Sequence, residues 1–262
     1  MPELPDVEVF KRYFDATSLH KTIERVDLRD ERMLGRTTGR ELRRALTGDR
    51  FEGSRRHGKY LFAILGRQGA LVLHFGMTGF LRYFKHEEDD PGHNVTRIAF
   101  DNGYSLFYNS HRRLGLVEIT DDPAGFIESK GLGPDALRVD AAQFDDMLKA
   151  RRGHIKSLLM NQHAVAGLGN VYTDEVLFQA GIHPRRKVRD LSTAERHRLQ
   201  RALARVLHKA IEAGADPQRL PATFLTPHRH AGAVCPRCGT ALGVLKVGGR
   251  TAYYCPRRQP AR

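Results

Sequence analysis

Residues 154–184 read HIKSLLMNQHAVAGLGNVYTDEVLFQAGIHP, and the folding of this stretch decides the C-terminal half of the chain. HIKSLLMNQ carries its apolar residues at helical spacing, and VYTDEVLFQA does so again. Between them Gly167 and Gly169 permit a tight turn, with Asn170 placed to cap the second helix. Gly181 and Pro184 then end it. The unit is therefore helix, two turns, helix. A glycine-rich turn that aims backbone N–H groups from a helix start is a phosphate site. An ordinary helical hairpin fits the same spacing equally well.

Working outward, the pattern stays helical from about residue 141 to 215. Ser192 and Glu195 form a capping box, and Leu199, Leu203, Val206 and Ala210 make the apolar stripe behind it. Upstream the period changes. TIERVDLRD, KYLFAIL, ALVLHF, RIAF, YSLFY and LGLVEIT are short segments, most of them alternating, separated by turns such as DNG. Strands at this spacing predict a sandwich or a barrel. Gly131, Gly133 and Pro134 break regular structure between the two regimes. The expected fold is α+β. An N-terminal β-sandwich domain covers 1–133 behind a first helix, a helical domain covers 134–230, and a cysteine-bearing hairpin covers 231–262.

The first helix follows from MPELPDVEVF. Pro5 suits a first helical turn, and Asp6 and Glu8 suit the positive end of its dipole. Val7, Phe10 and Phe14 give it one apolar face. Nothing in that account requires Pro2 or Glu3, for which the plain reading is a helix-capping carboxylate and its neighbour.

The chain has 262 residues, 40% of them hydrophobic, with no apolar run approaching a membrane span and no signal-peptide order at its start. Three cysteines, an odd count, argue against a disulfide framework and fit a reducing cytoplasm. The net charge is +13, from 43 Lys+Arg against 30 Asp+Glu. The excess is uneven: residues 231–262 hold six basic side chains and no acidic one. That footprint points to a polyanion, nucleic acid above all.

In the tail, Cys235-Pro-Arg-Cys238 is followed after sixteen residues by Cys255-Pro-Arg-Arg258. Two C-x2-C pairs at this distance spell a zinc ribbon, because four thiolates complete a tetrahedron. Here Arg258 stands at the fourth position, and a guanidinium is no ligand. Three arrangements fit: a fourth ligand from His228 or His230, a water in its place, or a metal-free hairpin held by packing.

PELPDVE at 2–8, HGKYL at 57–61, LHFGMTG at 73–79, GLGN at 167–170 and GGRTAYYCP at 248–256 together resemble the bacterial formamidopyrimidine-DNA glycosylase and endonuclease VIII family, over essentially the whole chain. The resemblance implies base-excision repair of damaged double-stranded DNA by a bifunctional glycosylase and AP lyase, a monomer with a structural zinc and no redox cofactor. Pro2, freed by removal of Met1, is the implied nucleophile. Glu3 is the implied acid/base, and Lys59, opening a strand, is implied to assist at the phosphates. Asn170 and Arg250 are implied to grip phosphates beside the lesion. Met77, Arg112 and Leu114 are implied to fill the hole left by a flipped nucleotide. Leu114 replaces the usual phenylalanine of the formamidopyrimidine branch, Ser110-His111 replace Asp-Pro, and Asp6 replaces the commoner glutamate. The segment from Ala215 to Cys235 is shorter than the loop that caps 8-oxoguanine. Ring-opened purines, oxidised pyrimidines and abasic sites are the expected substrates. A protein that binds kinked DNA without cleaving it shares the charge, the turn and the hairpin, but leaves Pro2 and Glu3 without a task. An RNA-binding zinc-ribbon protein leaves the N-terminal motif unexplained.

Overall fold

The computed structural model describes residues 1–85 and 93–261, which divide into two compact units. The first comprises Met1–Pro2 and Asp6–Gly131, and the second Glu3–Pro5 and Leu132–Arg262.

The first unit is a sandwich of two four-stranded antiparallel sheets. One has the order β1–β6–β7–β5, from Ile23–Leu28, Asn94–Phe100, Ser105–Ser110 and Gly79–Phe84. The other has the order β2–β3–β4–β8, from Phe51–His57, Tyr60–Leu65, Ala70–His74 and Leu116–Thr120. Alternate residues of both sheets meet in one core, including Val26, Leu61, Leu73, Leu81, Ile98, Leu106 and Val117. This is the period-2 pattern put to use. Helix α1 (Leu4–Ser18) adds Val7 and Phe14 to that core, where the Phe14 ring lies 5.0 Å from Phe51. Helix α2 (Gly39–Leu46) contributes Leu42 and Leu46. Helix α3 (Pro123–Ser129) covers the opposite face of the second sheet, with Phe126 packed on Phe62, Ala70 and Val72.

All six segments expected to be strands are strands. The structure adds β2, β5, α2 and α3. Strand β2 reads FEGSRRH, too charged for a buried strand, yet Arg56 is buried because Glu8 Oε2 accepts its Nε–H at 2.8 Å and the Gly58 carbonyl accepts from Nη1 at 3.0 Å. Helix α2 announces itself by a capping box, Thr38 with Glu41, in a stretch dominated by arginine.

The second unit is built from helices α4 (Ala141–Lys149), α5 (Ile155–Met160), α6 (Asn170–Ala180) and α7 (Thr193–Glu212), around one apolar cluster. The Ser192–Glu195 box forms as expected, and Leu199, Leu203, Val206 and Ala210 are buried. Left-handed Gly181 caps α6 at its C-terminus. The antiparallel hairpin β9–β10 (Gly243–Val247 and Arg250–Tyr254) follows. No helix among the described residues is long and apolar enough to cross a membrane.

Candidate functional site

The second unit includes Glu3–Pro5 of the N-terminal motif. The Glu3 carboxylate is buried and accepts three backbone N–H bonds, from Gly169 at 2.7 Å, Val171 at 2.8 Å and Tyr172 at 3.2 Å. Helix α6 lacks a cap of its own, because Gly169 occupies the cap position and Asn170 is already helical. Asn170 is therefore not the N-cap its position in the sequence suggested. Glu3 takes that role from 166 residues away and satisfies three donors that would otherwise be orphaned. It caps α6, not the helix it precedes.

The glycines of GLGN exist for this contact. A Cβ at Gly169 would sit 2.4 Å from the Glu3 carboxyl carbon, and one at Gly167 would sit 2.5 Å from Leu4 Cδ1. Gly167 also has φ +123°, closed to ordinary side chains. Its carbonyl accepts the Leu4 N–H at 3.0 Å. Residues 3 and 4 are thus held by both side chain and backbone, and half-buried Pro2 follows directly before them. Met1 is 57% exposed. The Glu3 cap leaves out the Asn170 N–H, and the Asn170 side-chain oxygen is buried without a partner among the described residues.

Behind the α6 N-terminus lies an ion cluster that the sequence did not disclose. Lys156 and Asp174 are fully buried, 2.6 Å apart, and Arg229 reaches the other Asp174 oxygen at 2.9 Å. Asp174 also accepts the Tyr253 N–H at 3.1 Å, while Lys156 donates to the Thr251 carbonyl at 2.8 Å. One carboxylate therefore joins α5, α6, the loop carrying Arg229 and strand β10. Arg250, the exposed first residue of β10, is carried on this fixed frame. Burial pulls the Lys156 amine down from its ordinary range, with Asp174 opposing. The helical spacing of VYTDEVLFQA marks Asp174 as a helix residue but gives no hint of its partners.

The Cys235, Cys238 and Cys255 sulfurs all lie within 4.8 Å of one another, with Cys238 and Cys255 3.5 Å apart. Zinc–sulfur bonds of ~2.3 Å at tetrahedral angles separate sulfurs by about 3.8 Å, so the three thiols fit three corners of a structural zinc site. The ion would tie the 235–238 turn to the end of β10. Among the described residues no histidine joins the cluster; His230 Nδ1 instead lies 3.2 Å from the Ala231 carbonyl. His228 and His230, the two candidates for a fourth ligand, are not part of this cluster.

In the first unit, Lys59 does not open β3. It sits with Gly58 in the two-residue turn joining β2 to β3, and it is buried. Next to it is His74, at the end of β4, which burial and then the Lys59 charge push down to about 4. His74 Nδ1 accepts the Gly76 N–H at 3.3 Å. The same unit gathers the three residues read as a wedge. Met77 and Leu114 are 37% and 55% exposed, as large apolar side chains rarely are, and Arg112 is exposed beside them. Their loops are tied: Thr78 Oγ1 accepts the Arg112 N–H at 3.0 Å, and a Cβ at Gly76 would strike the Leu114 backbone at 2.5 Å.

A β-sandwich, a helix–two-turn–helix unit capped by the chain's own third residue, and a three-thiol hairpin define a class of protein that works on nucleic acid. Residues 1–117 match the formamidopyrimidine-DNA glycosylase N-terminal domain, 131–221 its H2TH domain, and 232–257 the zinc finger found in FPG and IleRS. The chain belongs to the formamidopyrimidine-DNA glycosylase family. It is 36% identical to the formamidopyrimidine-DNA glycosylase of Geobacter metallireducens, over 99% of this chain and all of that protein. The corresponding enzyme of Nitrosococcus oceani is 34% identical at the same coverage. Among solved structures, Lactococcus lactis Fpg with abasic-site DNA superposes with a TM-score of 0.89 at 30% identity, over 99% of this chain and all of that one. MutM bound to carbocyclic 8-oxo-G DNA gives 0.89 at 31%, with the same coverage.

Proposed function

We propose that this protein is a base-excision-repair enzyme of bacterial cytoplasm and nucleoid, a DNA glycosylase and AP lyase acting on damaged duplex DNA. The observation that carries the reading is the set of three hydrogen bonds from the α6 N-terminus to Glu3. A chain end is ordinarily frayed, whereas here it is built into a helix start.

Removal of Met1 exposes the secondary amine of Pro2. An α-amino group titrates near ~8 and a lysine near ~10.4, so the terminal amine is far more often uncharged at neutral pH. It attacks C1′ as the damaged base departs with its bonding pair and a proton; the C1′–O4′ bond then breaks, O4′ takes a proton, and the opened sugar is left as a Pro2 iminium. That cation acidifies C2′. Loss of the C2′ proton breaks the C3′–O bond, a second elimination breaks C5′–O, and water then hydrolyses the iminium. Glu3, adjacent to the nucleophile, protonates the sugar ring oxygen and moves protons in the eliminations. Lys59 assists at the neighbouring phosphates. Asn170 and Arg250 hold the backbone, while Met77, Arg112 and Leu114 fill the gap left by the flipped nucleotide. Ring-opened purines, oxidised pyrimidines and abasic sites are favoured over 8-oxoguanine.

The test is strand incision of an abasic-site duplex by the processed chain and by one carrying an uncleavable N-terminal extension. Incision should fall by at least ~10²-fold in the extended protein while duplex binding persists. Equal incision by the two would overturn the reading; duplex binding with incision by neither would favour the non-cleaving binder.

A further inference from the structure

The two cysteine knuckles of the hairpin fold alike. In the first, the Gly239 N–H bonds the Cys235 carbonyl at 2.9 Å; in the second, the Gln259 N–H bonds the Cys255 carbonyl at 2.8 Å. Arg258 thus holds in the second turn the place that Cys238 holds in the first. The second turn does not need a thiolate to close. Gln259 is fully buried, its Oε1 accepts the Cys255 N–H at 2.9 Å, and its Nε2 donates to the Ile182 carbonyl at 2.8 Å. The corner of the tetrahedron that belongs to position 258 is therefore formed in shape but unfilled by any protein ligand among the described residues.

That corner opens on a cleft of about 530 Å³ lined by Arg237, Cys238, Arg257 and Arg258. Arg237 is fixed there, bonded to Gln179 Oε1 and lying over the Phe178 ring at 5.6 Å. Guanidinium groups cannot ligate a metal, but they hold anions through forked N–H donors. Three thiolates on Zn²⁺ leave a tetrahedral site one ligand short. We propose that the zinc of this chain is bound by three cysteines and accepts an exchangeable small anion at its fourth position, which the arginine-lined cleft draws in. The structural site is in this respect an anion receptor.

The full-length protein loaded with zinc, in chloride-free buffer, should give an X-ray absorption spectrum of three sulfurs and one oxygen or nitrogen scatterer. With cobalt(II) in place of zinc, added thiocyanate should shift the visible d–d bands saturably. Arg258→Cys should show four sulfurs and no response. Arg258→Ala should keep three sulfurs and bind thiocyanate about tenfold more weakly, as loss of one charge-assisted hydrogen bond implies. Four sulfurs in the unmodified protein, absence of bound metal, or a cobalt spectrum indifferent to thiocyanate would each overturn the proposal. None of these readouts depends on DNA cleavage.

Discussion

The Glu3 carboxyl group is buried, and three N–H groups converge on it there. Glu3→Gln keeps the size but turns an amide donor toward donors. Thermal or urea unfolding should show a loss of about 1–3 kcal/mol, the cost of bonds to a charged acceptor. Gly169→Ala attacks the same contact from the other side, since its Cβ would lie 2.4 Å from the carboxyl carbon. It should lower incision as well as stability; an unaffected alanine variant would show that the contact is dispensable. His74 offers a pH test within the first unit. Its folded-state value of about 4 lies below the ordinary 6.5. The unfolded chain therefore takes the proton first, so this contribution is whole above about pH 6.5 and is lost as pH falls toward 4. At 1.36 kcal/mol per pH unit the loss is about 3 kcal/mol. His74→Asn retains an acceptor for the Gly76 N–H but cannot titrate, so its stability curve should be flatter across that window.

At the scale of elements, Asp174 matters most, because it fastens α5, α6, β10 and the Arg229 loop through one carboxylate. Asp174→Asn leaves Lys156 buried without its counter-ion, and denaturant titration should register a loss of about 3–5 kcal/mol. The wedge loops invite the opposite kind of change. Leu114→Phe offers an aromatic face to the base stack, and abasic-duplex affinity should rise two- to tenfold; no gain would remove Leu114 from the interface. Where periodicity ruled, the elements were legible: the strands of the sandwich core, the Ser192 box and the αL stop at Gly181 all stand as local spacing requires. Where charge was neutralised by a distant partner, they were not. Strand β2 was obscured by Arg55, Arg56 and His57, and Glu8, which pairs with buried Arg56, lies 48 residues away. The α6 cap was misplaced on Asn170 for the same reason, since the true cap lies across the sequence.

Taken whole, the molecule is a +13 chain whose basic excess reaches into a hairpin without an acidic residue. Affinity for duplex should therefore fall steeply with salt, by roughly 10³–10⁵ between 50 and 200 mM if 6–10 phosphates are contacted. A shallow dependence would argue against a backbone-tracking interface. The residue types of the proposed chemistry were visible in five short motifs, but their support was not. Neither the Lys156–Asp174 cluster nor the three hydrogen bonds of Glu3 leave a mark in spacing, because both join residues that only the fold brings together. The central claim is covalent chemistry by the second residue. Borohydride reduction of the protein mixed with an abasic-site duplex, followed by peptide mass mapping, tests it directly. The account expects a one-to-one protein–DNA adduct attached at Pro2 of a chain lacking Met1. An adduct mapped to Lys59 or any other lysine, or incision with no trappable adduct, would contradict it.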